Sequence, residues 1–175
     1  MKGLVHIYTG DGKGKTTAAI GLGIRAYGRG MKVLMVQFLK GAETGEMNTL
    51  EALKPGFLLY RGKEIVKFTW NMSEEELVET RQIQKEILEY AVREIGKGGW
   101  DMLILDEVLG ALYSGMLELR DVAGFVKDKP ENLELVMTGR NAPVELVEMA
   151  DYVSEIKCIK HPMEQGIPAR KGIEC

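Results

Sequence analysis

Thr9-Gly10-Asp11-Gly12-Lys13-Gly14-Lys15-Thr16-Thr17 is the stretch that decides the fold. A short apolar run, Leu4-Val5-His6-Ile7-Tyr8, precedes it and reads as a strand. Thr17 to Tyr27 follows and reads as a helix, with Ala18, Ala19, Ile20, Leu22 and Ile24 on its apolar side. Strand, glycine-rich turn, Gly-Lys-Thr and helix form the layout of a P-loop, although Thr9 stands where the usual pattern has glycine. Glycines let consecutive backbone N–H groups converge without Cβ clashes, and the positive end of the helix dipole adds to that field. The candidate nucleotide-binding residues are therefore Gly10, Asp11, Gly12, Lys13, Gly14, Lys15, Thr16 and Thr17. Lys15 is expected to reach the outer phosphates, and the Thr16 hydroxyl to complete a Mg²⁺ shell.

The second informative stretch is Asp101-Met102-Leu103-Ile104-Leu105-Asp106-Glu107. An apolar strand ending in acids after a P-loop reads as a Walker B strand. Asp106 is the candidate metal-side carboxylate, with Glu107 at the edge of the same cleft. Neighbouring strand residues face opposite ways, so these two share a role only if the strand ends between them.

The remaining elements fit an α/β protein with a mainly parallel sheet between helices. Lys32 to Leu39 is a near-continuous apolar run, as in a strand covered on both faces. The polar loop after it carries Lys40 and Glu46. With Gln37 these suit a ligand crevice at the strands' carboxyl ends, or equally a solvated connection. Met47 to Leu53 is a short helix and Phe57 to Tyr60 a short strand. Lys67-Phe68-Thr69-Trp70 places two aromatics on one side of an extended segment, suited either to core or to the wall of a flat ligand. Ser73-Glu74-Glu75-Glu76 is a capping box opening a helix to about Lys97, with Leu77, Ile83, Ile87, Leu88, Ala91 and Ile95 as its buried stripe. Val108 to Met116 reads as helix and turn, Glu118 to Lys127 as a helix, and Leu133 to Met137 as a buried strand ahead of Arg140. A helix runs from Pro143 to about Ala150, and Tyr152 to Ile159 is a last strand. The basic tail from Lys160 is either a ligand-covering arm or a frayed end.

Composition narrows the function classes. A length of 175 residues suits one domain, taken as residues 1–175, and the net charge of −3 argues against a broad nucleic-acid surface. No apolar run approaches the roughly eighteen residues of a membrane span, and no leader-like segment opens the chain. Cys158 and Cys175 have no CxxC spacing that would mark a metal or redox site. These features lead to the expectation of a cytoplasmic protein without membrane or nucleic-acid partners.

Taken together, TGDGKGKTTAA, VQFLKG, FTW, LDE, TGR and the ending KH…G…ARKGIE resemble the ATP:corrinoid adenosyltransferase family of the P-loop type, over almost the whole chain. The resemblance implies a P-loop NTPase of RecA-like, three-layer α/β/α architecture, working as a homodimer. The implied reaction transfers the 5′-deoxyadenosyl group of ATP to the Co(I) centre of a reduced corrinoid and releases triphosphate. Mg²⁺ (or Mn²⁺) is the implied cofactor, and a reduced flavoprotein the implied electron donor. Thr16, Asp106 and Glu107 match the metal side, and Arg25 and Arg140 match basic positions near the nucleotide. Phe68 and Trp70 match aromatics on the corrinoid face, which leaves Lys15, Glu107, Phe68 and Trp70 as the implied catalytic set. Two features depart from the pattern. The sequence starts almost at its first strand, without the N-terminal extension some members use over the corrinoid, and Cys175 ends the chain where an aromatic often stands. A P-loop ATPase or small kinase, and a nucleotide-binding module that carries adenosylated corrinoid without turnover, are the competing readings.

Overall fold

The computed structural model describes residues 2–41, 43–63 and 72–173. Six strands form one sheet: β1 (Val5–Thr9), β2 (Val33–Gln37), β3 (Phe57–Tyr60), β4 (Met102–Asp106), β5 (Glu134–Thr138) and β6 (Tyr152–Glu155). Their spatial order is β3-β2-β4-β5-β1-β6, and every pair is parallel. The fold is therefore the expected α/β type, with the helices α1 (Lys15–Tyr27), α2 (Gly45–Glu51), α3 (Glu74–Gly96), α4 (Val108–Tyr113), α5 (Leu119–Asp128) and α6 (Val144–Met149) as crossovers.

Strand side chains alternate between the two faces, and the core divides accordingly. Val33, Met35, Ile104 and Val136 pack with Ala19 and Ala26 of α1 on one face. Leu34, Val36, Leu103, Leu105, Leu135 and Met137 pack on the other with Ile83, Ile87, Leu88, Ala91 and Ile95 of α3. Because both faces are covered, the strands are continuous apolar runs. Fully burying each such side chain contributes roughly 1.5–3 kcal/mol.

Helix α3 starts where the capping box places it. Ser73 Oγ accepts the Glu76 amide at 3.3 Å, and the Glu76 carboxylate accepts the Ser73 amide at 2.8 Å. Its stripe holds, except that Leu77 is only half-buried while the polar Thr80 and Gln84 join the buried side. Helix α1 departs further from expectation. Its buried face is Ala19, Gly23 and Ala26, whereas Ala18 and Ile24 are exposed. The reason is close approach to the sheet: a Cβ at Gly23 would lie 2.9 Å from Phe57 and 3.0 Å from Ile104. Small residues bring the helix, and the loop preceding it, down onto the strands.

Several strands end earlier than the apolar runs suggest. Strand β2 stops at Gln37, because Leu39 turns to a φ of 55°. Strand β6 covers Tyr152–Glu155 only. Beyond it the chain leaves the sheet, makes a 3₁₀ turn at Pro162–Gln165, and continues irregularly.

Candidate active site

The parallel sheet brings the carboxyl ends of β1, β2, β4 and β5 side by side, and they converge on Asp106. This carboxylate is fully buried. Its Oδ1 accepts hydrogen bonds from the hydroxyls of Thr16 (2.8 Å) and Thr138 (2.7 Å), and Oδ2 accepts from the Gln37 amide at 3.1 Å. Register explains the last contact, since Gln37 pairs with Asp106 across the β2–β4 ladder. A buried charge is tolerated only when hydrogen-bonded in this way. One carboxylate thus ties together β2, β4, β5 and the first turn of α1.

Strand β4 ends at Asp106. Glu107 adopts φ 62° and ψ 16°, heads α4, and donates its amide to Thr138 Oγ1 at 2.9 Å. This break in the strand removes the alternation that would have sent the two acids to opposite faces, and Glu107 lines the cavity over the P-loop. Burial and the neighbouring Asp106 raise the Glu107 carboxyl above the ordinary carboxylate range, opposed by Lys40, Lys15 and Arg140.

The P-loop closes onto the start of α1. Gly14 precedes the helix with φ 119°, a conformation that favours glycine, and no side chain caps the amides of the first turn. That turn also holds no acidic residue, so the positive helix end is left for an anion. Lys15 is buried, its Nζ donating to the Gly12 carbonyl at 2.7 Å. Burial lowers its pKa, with Glu107 the largest opposing influence. Gly10 and Gly12 face the other way. A Cβ at Gly10 would lie 2.4 Å from the Ile156 carbonyl oxygen, and the Gly12 amide donates to that oxygen at 2.7 Å. These two positions brace the loop against the chain leaving β6.

A cavity of about 510 Å³ lies over this arrangement. Lys13, Gly14, Lys15, Thr16 and Thr17 form its floor, Lys40, Thr44, Gly45 and Glu46 one wall, and Glu107 another. Its size and cationic floor suit a polyphosphate ligand.

The comparison with known proteins decides which P-loop family this is. The model of the ATP:corrinoid adenosyltransferases BtuR/CobO/CobP matches residues 1–175. The chain belongs to the ATP:corrinoid adenosyltransferase family. A corrinoid adenosyltransferase from Escherichia coli K12 is 34% identical over 174 residues, spanning 99% of this chain and 86% of the relative. One from a Sinorhizobium species is 36% identical over 179 residues, covering 99% and 80% respectively. The enzyme of Salmonella typhimurium LT2 is 33% identical over 174 residues, covering 99% and 86%.

Not all the residues that the family resemblance singled out converge on the cavity. Lys13 through Thr17 and Glu107 line it, and Asp106 sits directly beneath through Thr16. Asp11 and Arg140 do not line the cavity; they are exposed and 3.8 Å apart, and the Arg140 charge is felt by both Lys15 and Glu107. Arg25 does not line the cavity. It lies on an exposed face of α1, more than two turns beyond Thr16, where its charge acts on Tyr8. Phe68 and Trp70 lie outside the described residues. Of the residues left open between site and solvated loop, Gln37 is buried against Asp106, and Lys40 and Glu46 line the cavity.

Sequence reasoning missed Thr138, Thr44 and His161. Thr138 had a signal, a hydroxyl closing an apolar strand at the level of Asp106. Thr44 and His161 reach the cavity through loop paths that spacing does not encode.

The donor set fits a Mg²⁺-sized hard cation. Thr16 and Asp106 present hydroxyl and carboxylate oxygens already in contact, with Glu107 beside them. Among the described residues no cluster of three or more His, Cys, Asp or Glu side chains stands ready to cage a metal.

Proposed function

We propose that this chain transfers the 5′-deoxyadenosyl group of ATP to the Co(I) centre of a corrinoid, releasing triphosphate, in adenosylcobalamin biosynthesis or salvage. The observation that carries the reading is the cationic P-loop cavity above Asp106, in a chain matched from end to end by the ATP:corrinoid adenosyltransferase family. The Co(I) electron pair forms a bond to the ribose C5′. The C5′–O bond breaks, and triphosphate leaves with that bond's electron pair. No proton is removed, so the site needs no general base.

The protein's task is to hold the triphosphate and stabilise the charge that develops on its departing oxygen. The amides at the start of α1 and the Lys15 ammonium supply fixed positive potential there. Lys15 leaves its contact with the Gly12 carbonyl for the phosphates when the nucleotide enters. Mg²⁺ (or Mn²⁺), held by Thr16 and Asp106 with Glu107 alongside, would neutralise part of the phosphate charge. Lys13 and Lys40 add cationic lining, and the charge of Arg140 reaches Lys15 and Glu107 from outside it.

Phe68 and Trp70 are assigned to the corrinoid face. Their role is to displace the lower axial ligand and leave four-coordinate cobalt, which favours Co(I) over Co(II). Residues 1–175 act as one catalytic domain, as a homodimer in the cytoplasm, with a reduced flavoprotein as electron donor. Among the described residues no helix is long and apolar enough to cross a membrane. The test is dependence of ATP consumption on Co(I) corrinoid. Consumption of ATP at the same rate without corrinoid would contradict the reading.

A further inference from the structure

The segment after β6 is attached to the P-loop before it turns back over the cavity. The Ile156 amide donates to the Thr9 carbonyl at 2.8 Å, and the Ile156 carbonyl accepts the Gly12 amide at 2.7 Å. From residue 157 to residue 173 every position is exposed except His161, which is half-buried, and His161, Gly172 and Ile173 line the same cavity as Lys13 and Gly14. An otherwise solvated tail therefore contributes to the lining of the cavity over the P-loop, with His161 its least exposed member there.

The ring has a defined tautomer. His161 Nδ1 accepts the Met163 amide at 3.2 Å, capping the 3₁₀ turn. With Nδ1 an acceptor, the proton of the neutral imidazole sits on Nε2. Among the described residues no protein group accepts a hydrogen bond from Nε2. The lining of the cavity thus includes a ring whose Nε2–H has no protein partner among the described residues, in a cavity shared with the loop that would bind the phosphate chain.

We propose that His161 is a further substrate-binding residue, donating its Nε2–H to the phosphate chain of the nucleotide and of the triphosphate product. The inference rests on the reading of the cavity as the triphosphate site. It also gives the tail a function. Anchored at Ile156 and carrying His161, the tail is a wall of the nucleotide site.

Two variants separate ligand binding from turn capping. His161→Asn keeps an acceptor close to the Nδ1 position but removes the Nε2 donor. His161→Gln places an amide N–H near the Nε2 position but loses the cap. The measurement is the Kd of inorganic tripolyphosphate by calorimetry, with Lys15→Ala as the control for the site. The expected result is a loss of roughly ten- to a hundredfold in His161→Asn, as for a hydrogen bond to a charged group, and a smaller loss in His161→Gln. Wild-type affinity in His161→Asn, or a loss in His161→Gln as large as in His161→Asn, overturns the inference while leaving the site reading intact. Wild-type affinity in Lys15→Ala, or no binding by the unsubstituted protein, overturns the site reading and the inference with it.

Discussion

The hydroxyl of Thr16 and the buried carboxylate of Asp106 are in hydrogen-bond contact at 2.8 Å, although 90 residues separate them in the chain. The contact joins the first turn of α1 to the end of β4, and Thr138 and Gln37 complete it from β5 and β2. Any movement of the P-loop relative to the strand ends must break it. The protein therefore holds its P-loop and the Asp106 carboxylate at a fixed separation, and a preorganised arrangement of this kind lowers a barrier without reorganisation during a reaction.

Asp106→Asn preserves the shape of that carboxylate and removes its charge. The variant should lose about a hundredfold or more in kcat/KM. Its ATP affinity should no longer respond to added Mg²⁺, which is checked by titrating nucleotide with and without the cation. A retained Mg²⁺ response would remove Asp106 from the metal side.

Glu107 carries an electrostatic cost. Burial and Asp106 raise its carboxyl pKa above the unfolded value, so the folded protein binds that proton more tightly than the unfolded chain does. The associated stability is present at acid pH and is lost as pH rises through the folded-state value. Glu107→Gln should therefore raise the Tm of the ligand-free protein at pH 7, with the gain disappearing near pH ~4, where a free carboxyl also protonates. Activity should fall about tenfold or more, because the removed charge faces the site. Equal Tm gains at both pH values would show that ionisation is not the cause.

Gln84 supports the site from behind. Its side chain on α3 is fully buried, and Oε1 accepts the amide of Leu39 at 3.0 Å, where the chain turns to a φ of 55° and enters the loop carrying Lys40. Gln84→Met keeps the volume and deletes the acceptor. The expected cost is about 1–2 kcal/mol, or roughly 2–8 °C in Tm, together with a severalfold rise in KM for ATP. Thermal unfolding and steady-state kinetics check both. An unchanged Tm and KM would mean that the loop holds its course without Gln84.

Trp70→Ala addresses the corrinoid face. If the aromatic excludes the lower axial ligand, reduction of bound Co(II) should fall by about tenfold or more while ATP affinity changes less than about twofold. Spectroscopic titration with a reductant of known potential, run beside an ATP-binding measurement, separates the two. An equal loss in both would count against this role.

The sequence was most legible where local chemistry and periodicity agreed. The P-loop, the capping box at Ser73 and the apolar run ending in Asp106 are each set by neighbours within a few residues, and each lies where that pattern places it. Helix α1 departs from its apolar pattern because its buried face is chosen by the closeness of Phe57 and Ile104, which selects Ala19 and Gly23 over the larger Ile24. The break at Glu107 depends on a left-handed residue that no glycine announces, and with it Glu107 lines the cavity while Asp106 stays buried beneath Thr16. Thr138 and His161 belong to the site only through sheet order and the path of the tail, which are long-range properties.

The most direct test of the account is a single anaerobic reaction of the protein with Mg·ATP and chemically reduced Co(I) corrinoid in the dark, with the phosphate product identified. The expected result is a light-sensitive alkylcobalt spectrum and one triphosphate for each corrinoid converted. Unchanged Co(I), accompanied by phosphate and ADP, would contradict it and leave a P-loop hydrolase in its place.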